Sequence, residues 1–356
     1  MNTALTGSMR VYELLRNARE RGASDVHFVA GEAPVLRIDG ALAHRSEISL
    51  STGEVEAFLS EQLAENDRSV LARRGSCDVV VRNAGAGVVR LHVFCALGST
   101  RCAARLLPER VPSLNSWGLP EAIERLALRR NGLILIVGPT GSGKTTLLAS
   151  MIDVLNSSHS RVVVALEDPV EYVHESVRCQ IAQCEIGRDA PDYTTAIVGL
   201  LRADPDVILI GELREAASLQ SALTVAETGH LVLASLHTLD APQALERIID
   251  SFPANARDQI RVQLSQTLAG IVALRLIPRA RGKGRRAAAE ILIATDAVRN
   301  LIREGKIHQL RSVMQTGKSF AMQTLEMHLS ELVRRGEITE EAAVACSAHP
   351  SELALV

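Results

Sequence analysis

One run of residues constrains this chain more than any other: Gly138-Pro139-Thr140-Gly141-Ser142-Gly143-Lys144-Thr145. It fits the pattern G-x-x-x-x-G-K-[ST], and its context is the one such a loop requires. Leu133–Val137, just before it, is an unbroken apolar run of buried-strand type, and the residues after it read as a helix. Gly141 and Gly143 let the backbone curl until several N–H groups face one point. The helix N-terminus adds its positive end there. Lys144 is placed to reach the outer phosphates of a nucleotide, and the Thr145 hydroxyl to bind Mg²⁺. The segment Gly138 to Thr146 therefore predicts a binding site for ATP and Mg²⁺.

Binding alone is not hydrolysis, which needs a group that orients water. Three further runs, Arg161–Leu166, Asp206–Ile210 and Leu231–Ser235, are mostly apolar through their length, without alternation. This predicts an α/β fold with a parallel sheet covered on both faces. In such sheets ligands sit beyond the C-terminal strand ends. Glu167 and Glu212 follow two of these runs, so both are expected beside the phosphate loop. Glu212 is the candidate for polarising the attacking water. Glu167 is expected to assist at the water or at Mg²⁺, directly or through a water molecule. His237 leaves the fourth run at the same edge, where it can sense the γ-phosphate. His230 lies at the opposite end of that run, roughly 20 Å away at a strand's rise per residue. It is expected either to be satisfied locally or to face a neighbouring subunit.

The rest of the chain frames this core. Residues 1–107 alternate short strand runs with two helical stretches, one opened by Ser51 with Glu54 three residues on, a capping-box pattern. Asp39-Gly40 and Asn83–Gly87 read as hairpin turns. Pro108, Pro112 and Pro120 mark a linker over 108–120, and a second domain is expected over 121–356. Its last part, from Asn255 on, reads as helical, broken by a basic Gly-rich segment and one strand-like run, Ala287–Ile293. With 39 Lys+Arg against 41 Asp+Glu, the net charge of −2 weighs against a nucleic-acid-coating protein. No Cys-x2-Cys pair suggests a thiolate zinc site. No apolar run is long enough to span a membrane. The N-terminus has no signal-peptide core, so a cytoplasmic location is expected.

These residues resemble the type IV pilus retraction ATPases, the PilT/PilU twitching-motility family of the secretion-ATPase superfamily. Ala23-Ser24-Asp25-Val26-His27 is similar to the family's opening, and Glu167-Asp168-Pro169-Val170-Glu171 to its acidic box. Gly211-Glu212-Leu213-Arg214 resembles its Walker B ending, with Thr228–His230 and Leu236–Thr238 its histidine box. Ala297 to Glu304 resembles a helix signature of retraction ATPases, and Gly317 to Thr324 a further family segment. The resemblance implies a PAS-like α+β N-terminal domain followed by a RecA-like P-loop ATPase domain. It implies a homo-hexameric motor that hydrolyses ATP with Mg²⁺ to retract pili. The ring would lie at the cytoplasmic face of the inner membrane, associated peripherally through the pilus platform protein, with no nucleic-acid partner. It also implies an N-terminal-domain arginine, Arg90 or Arg105, closing over the phosphates.

The chain departs from the family pattern at several cations. Val88, Cys184 and Val198 stand where the family carries Arg, and Cys95-Ala96-Leu97-Gly98 replaces a more polar segment. An apolar side chain cannot replace an arginine fork. These changes predict slower turnover and suit an auxiliary retraction motor or a nucleotide-binding scaffold. The alternatives outside retraction are a pilus-assembly or type II secretion ATPase and a RecA-like nucleic-acid motor. In the signature helix, Ala297, Val298, Leu301 and Ile302 form one apolar stripe, with Arg299 expected outside it. The basic segment Arg279–Arg286 reads as an exposed turn or a contact with acidic lipid or a partner.

Overall fold

The structure is a computed structural model, and it describes residues 7–354 apart from 39, 46, 47, 84, 85, 109 and 283. The chain divides into two compact units between Arg110 and Val111.

In the first unit six strands form one antiparallel sheet: β1 (Ala23–Val29), β2 (Val35–Ile38), β3 (Ala41–Arg45), β4 (Ser76–Asn83), β5 (Gly87–Ala96) and β6 (Ser99–Leu107). Their order is β3-β2-β1-β6-β5-β4. Strict alternation along β5 sends Val89, Leu91 and Val93 into a core with Leu14, Leu15 and Phe58 of the covering helices. The same alternation leaves Arg90, His92 and Phe94 on the other face. Ser51 caps its helix as its sequence predicts, with Glu54 Oε2 accepting the Ser51 N–H at 2.7 Å. Ile38 pairs with Ala41 across the expected first turn, of which Asp39 lies outside the described residues. In the second turn, residues 84 and 85 lie outside them. The helix Glu65–Arg74 has no counterpart among the sequence expectations. None of its residues is buried, so no apolar stripe announces it.

In the second unit seven strands form one sheet: β7 (Gly132–Val137), β8 (Val162–Glu167), β9 (Gln180–Glu185), β10 (Val207–Ile210), β11 (Leu231–Leu236), β12 (Leu268–Pro278) and β13 (Arg285–Ile293). The order is β13-β12-β7-β11-β10-β8-β9, parallel except at the edge strand β13. Both faces are buried. Leu133, Leu135 and Val137 point into one core, Ile134 and Ile136 into the other. That is why these strands lack alternation.

One expectation needs correction. From Asn255 the chain is helical only through Arg257–Thr267, and residues 268–278 are the long strand β12. A short apolar run reads equally well as buried helix or buried strand, and position in the sheet decides. Gly270 permits the close packing: a Cβ there would lie 2.9 Å from both Leu126 Cδ2 and the Leu292 carbonyl. Strand β9 likewise has no counterpart among the sequence expectations; its polar residues suit an edge. Among the described residues no helix is long and apolar enough to cross a membrane.

Candidate active site

Register brings the sequence-predicted residues of the second unit to one edge. Val137, the last residue of β7, pairs with Leu236 at the end of β11, so Gly138 and His237 leave the sheet side by side. Leu166 of β8 pairs with Ile210 of β10, which sets Glu167 beside Gly211 and Glu212. The phosphate loop then runs into the helix Lys144–Ser158. Gly138, Gly141 and Gly143 all have positive φ, as the curled loop requires.

His237 links the two charged groups at the centre. Its Nδ1 lies 3.4 Å from Lys144 Nζ, and its Nε2 lies 3.4 Å from Glu212 Oε1. Lys144 also donates to the carbonyls of Gly138 at 2.8 Å and Pro139 at 3.1 Å. Burial pushes the Lys144 ammonium down to about 8, with Glu212 pulling it up and Arg275 pushing it further down. Burial raises the Glu212 carboxyl, but the hydrogen bond from Arg214 at 2.7 Å and the nearby His237 and Lys144 outweigh it. Glu212 ends below the usual carboxylate range, so it is ionised at neutral pH.

Glu167 is held from another direction. Gln183 of β9 donates to Glu167 Oε1 at 2.9 Å and to the Tyr172 carbonyl at 2.7 Å. The Tyr172 hydroxyl lies 3.0 Å from the Thr146 hydroxyl, tying this corner to the phosphate loop. Gly211 stands in a tight place. A Cβ there would lie 3.2 Å from the Leu166 carbonyl, 3.3 Å from Glu167 Cα and 3.3 Å from the Tyr193 hydroxyl. A Walker B aspartate at this position would need these neighbours to give by a few tenths of an ångström, and the acidic group stands one residue later, at Glu212.

The residues present fit a nucleotide with Mg²⁺. Ser142 Oγ, in the phosphate loop, is buried without a hydrogen-bond partner, and so is Thr238 Oγ1 beside His237. A buried hydroxyl without a partner is costly, and a bound phosphate oxygen would supply one. Lys144 and the loop would hold the phosphates, and the exposed Thr145 hydroxyl the Mg²⁺. Among the described residues no group of three or more His, Cys, Asp or Glu could hold a metal by itself. The metal would therefore depend on the phosphates and water for its remaining ligands.

Three features of this edge have no counterpart among the sequence expectations. Trp117 packs against the loop: a Cβ on Gly143 would lie 3.0 Å from its ring. Its indole N–H donates to Ser150 at 3.1 Å. Second, Trp117, Leu276, Arg279 and Arg285 line a cavity of about 200 Å³. Third, Arg285 donates to the Gly141 carbonyl at 3.3 Å, and Arg286 pairs with Glu337. The end of the basic segment thus belongs to β13 and the loop's surroundings, and it is no free turn. Arg279 and Arg281 are exposed as expected, and Lys283 lies outside the described residues.

The other singled-out residues have local partners of their own. Arg90 and Arg105 belong to the first unit, paired directly across β5 and β6. Arg105 Nε lies 2.9 Å from Asp25, and Arg90 Nε 3.7 Å from Asp78. His230 is satisfied locally, its Nδ1 2.9 Å from the Thr228 hydroxyl and 3.1 Å from the Val225 carbonyl. Arg299 is not outside its helix. It turns inward and donates to the carbonyls of Gln266 and Leu268, both at 2.8 Å, and of Ser265 and Ala294. Carbonyls at the end of the helix Arg257–Thr267 need donors, and this is where Arg299 supplies them.

Glu290, inside the apolar run of β13, is 2% exposed. A carboxyl in such an apolar run is itself a sequence signal of a buried polar contact. Burial pushes it up to about 7, the Ala241 N–H and Arg311 oppose that, and Asp240 and Glu326 add to it. A folded-state value above the unfolded one means that the folded protein binds the extra proton. Stability is therefore lost as pH rises from about 4.5 to 7, by ~3 kcal/mol in full. Thermal melts of the wild type and Glu290→Gln at pH 5 and pH 8 check this. The variant gains on the wild type at pH 8, whereas an equal gap at both pH values contradicts it.

Comparison with known proteins covers both units. The family described as type II/IV secretion system protein matches residues 8–344. The type IV pilus retraction ATPase PilT of Pseudomonas aeruginosa is 39% identical over 335 residues, 94% of this chain and 97% of its own. The type IV pilus ATPase PilU of the same organism is 37% identical over 348 residues, 98% and 91%. A crystal structure of the pilus retraction motor PilT with bound ADP superposes with a TM-score of 0.85 at 40% identity, covering 96% of this chain and 98% of that one. The second unit accordingly has the RecA-like nucleotide-binding fold. Likeness of this length and identity makes the chain a member of the type II/IV secretion system protein family, in its PilT/PilU branch of ATP-hydrolysing P-loop enzymes.

Proposed function

We propose that this chain is a motor for type IV pilus retraction and twitching motility, driven by ATP hydrolysis at the Lys144 edge. The observation that carries the reading is the chain of contacts from Lys144 through His237 to Glu212, both steps 3.4 Å. A group reading the γ-phosphate there reports at once to the group that activates water. Glu212, ionised and aimed by Arg214, accepts hydrogen-bonding from the attacking water and polarises it. Glu167, fixed by Gln183, orders the water or the metal's hydration shell. Lys144 and the loop amides stabilise charge on the phosphates. Mg²⁺, when bound, neutralises the phosphate charge and orients the outer phosphate. His237 loses its phosphate contact after cleavage and passes that change to Glu212.

In this reading the first unit is a PAS-like domain, and six subunits form a ring. Arg90 or Arg105 supplies the additional cation as the ring closes. Their salt bridges to Asp78 and Asp25 prepare the guanidinium groups on one sheet face. The ring works at the cytoplasmic face of the inner membrane through the pilus platform protein. The likeness to PilT and PilU supports this, and the −2 net charge suits protein partners better than nucleic acid. Val198, 59% exposed where the resemblance expects Arg, favours an accessory motor with slower turnover as the second reading.

Deleting the gene tests retraction against assembly. Retraction predicts that surface pili remain and twitching stops. Loss of surface pili would instead assign the chain to assembly.

A further inference from the structure

We propose that Glu290 and Arg275 are positioning residues that tie down the strap His237–Ala241, and so hold the His237 ring between Lys144 and Glu212. The inference rests on the reading of His237 as the group facing the γ-phosphate.

The topology creates the need. Strand β11 ends in the middle of the sheet, next to β7. The helix that follows, Ala241–Asp250, packs through Ala244, Leu245 and Ile248 into the core shared with Ile271, Ala273 and Leu292 of β12 and β13. The strap must therefore cross the ends of β7 and β12 beside the phosphate loop, in the few residues between Leu236 and Ala241. Its first three residues, 237–239, have no strand or helix pairing of their own. Its Thr238 hydroxyl is buried without a partner, and Leu239 is 51% exposed.

Two side chains from β12 and β13 hold it. Arg275 Nη2 donates to the Leu239 carbonyl at 2.7 Å, while its Nη1 donates to the carbonyl of Leu274 at 3.1 Å. Glu290 Oε1 accepts the N–H of Ala241 at 2.8 Å. That N–H belongs to the first residue of the helix, where no helical carbonyl can reach it and where the helix dipole favours a carboxylate. The strand registers place Glu290 opposite Ala273, Ala273 opposite Val137, and Val137 opposite Leu236. The carboxylate thus lies at the level where the strap begins, two strands beyond the loop.

Burying a carboxyl is expensive, and an apolar side chain would fill the same space without that cost. What Glu290 does there is hold a backbone N–H of the strap. The two ties fall two and four residues beyond His237. The His237 contacts, at 3.4 Å on both sides, lie at the outer limit of hydrogen bonding. A displacement of about 1 Å breaks them, and misplacement on that scale costs up to about 100-fold in rate.

The test is steady-state ATP hydrolysis by the purified full-length chain. Glu290→Ala is expected to lower kcat by about 10- to 100-fold with KM for ATP within about twofold. Glu290→Gln, which keeps a carbonyl oxygen for the Ala241 N–H, restores most of kcat. In a His237→Ala background, Glu290→Ala has no further effect, since residues acting as one unit are not additive. Equal fold losses in both backgrounds, or no rescue by Gln, overturn the positioning role while leaving His237 in place. An unchanged kcat in His237→Ala alone overturns the reading of His237 and this proposal with it. Should Glu290→Ala fail to fold, Arg275→Met removes the other tie from a half-buried side chain. It must show the same lack of additivity with His237→Ala, and full additivity overturns the proposal.

Discussion

Glu212→Gln lowers ATP turnover by about 10²- to 10⁴-fold and leaves nucleotide binding intact. The amide has nearly the shape of the carboxylate, so β10 and the turn after it keep their geometry. It carries no charge, however, and it is a poor acceptor for a proton from water. The carboxylate is ionised because Arg214, His237 and Lys144 together outweigh its burial. Gln loses all three attractions at once. Lys144 keeps its hydrogen bonds to Gly138 and Pro139, so the loop still receives phosphates. Steady-state kcat beside a fluorescence titration of ATP separates the two quantities. Retained hydrolysis would remove Glu212 from the catalytic role.

Lys144→Ala is expected to remove both quantities together. Lys144 is 7% exposed, and its ammonium is fixed by two carbonyls of its own loop. A hydrogen bond to a charged group contributes roughly 1.5–3 kcal/mol, which corresponds to about 10- to 150-fold in Kd for ATP. Its loss in the transition state is larger, because charge moves onto the phosphates there. Turnover therefore falls below detection, and nucleotide affinity weakens with it. The contrast with Glu212→Gln is the diagnostic part. One variant separates binding from turnover, and the other does not.

How much of this could be read in the residues depends on how local each feature is. The loop at 138–146 is a contiguous pattern whose glycines and lysine act on one ligand, so its place follows from spacing alone. Glu167, Glu212 and His237 are far apart in sequence, but each stands at the end of a buried strand. Parallel topology then brings them to one edge. Gln183, Trp117, Arg275 and Glu290 act through contacts made only after strands that the sequence does not order have been ordered. Gln183 and Arg275 lie on β9 and β12, which no periodicity in the sequence announces. Arg299 shows a further limit. A helical stripe says which residues are apolar, yet the guanidinium of a half-buried Arg turns back to carbonyls that another helix leaves open. Gly211 was legible as a departure from the usual aspartate. Its tight setting against Leu166, Glu167 and Tyr193 was not.

The central claim is that hydrolysis at the Lys144 edge drives pilus retraction. It is tested most directly in a deletion strain complemented with either the wild-type gene or Lys144→Ala, with both proteins at equal levels. Surface pili and twitching are scored together. The account predicts that the wild-type gene restores twitching, while cells carrying Lys144→Ala keep their pili and do not move. Full restoration of twitching by Lys144→Ala would contradict it.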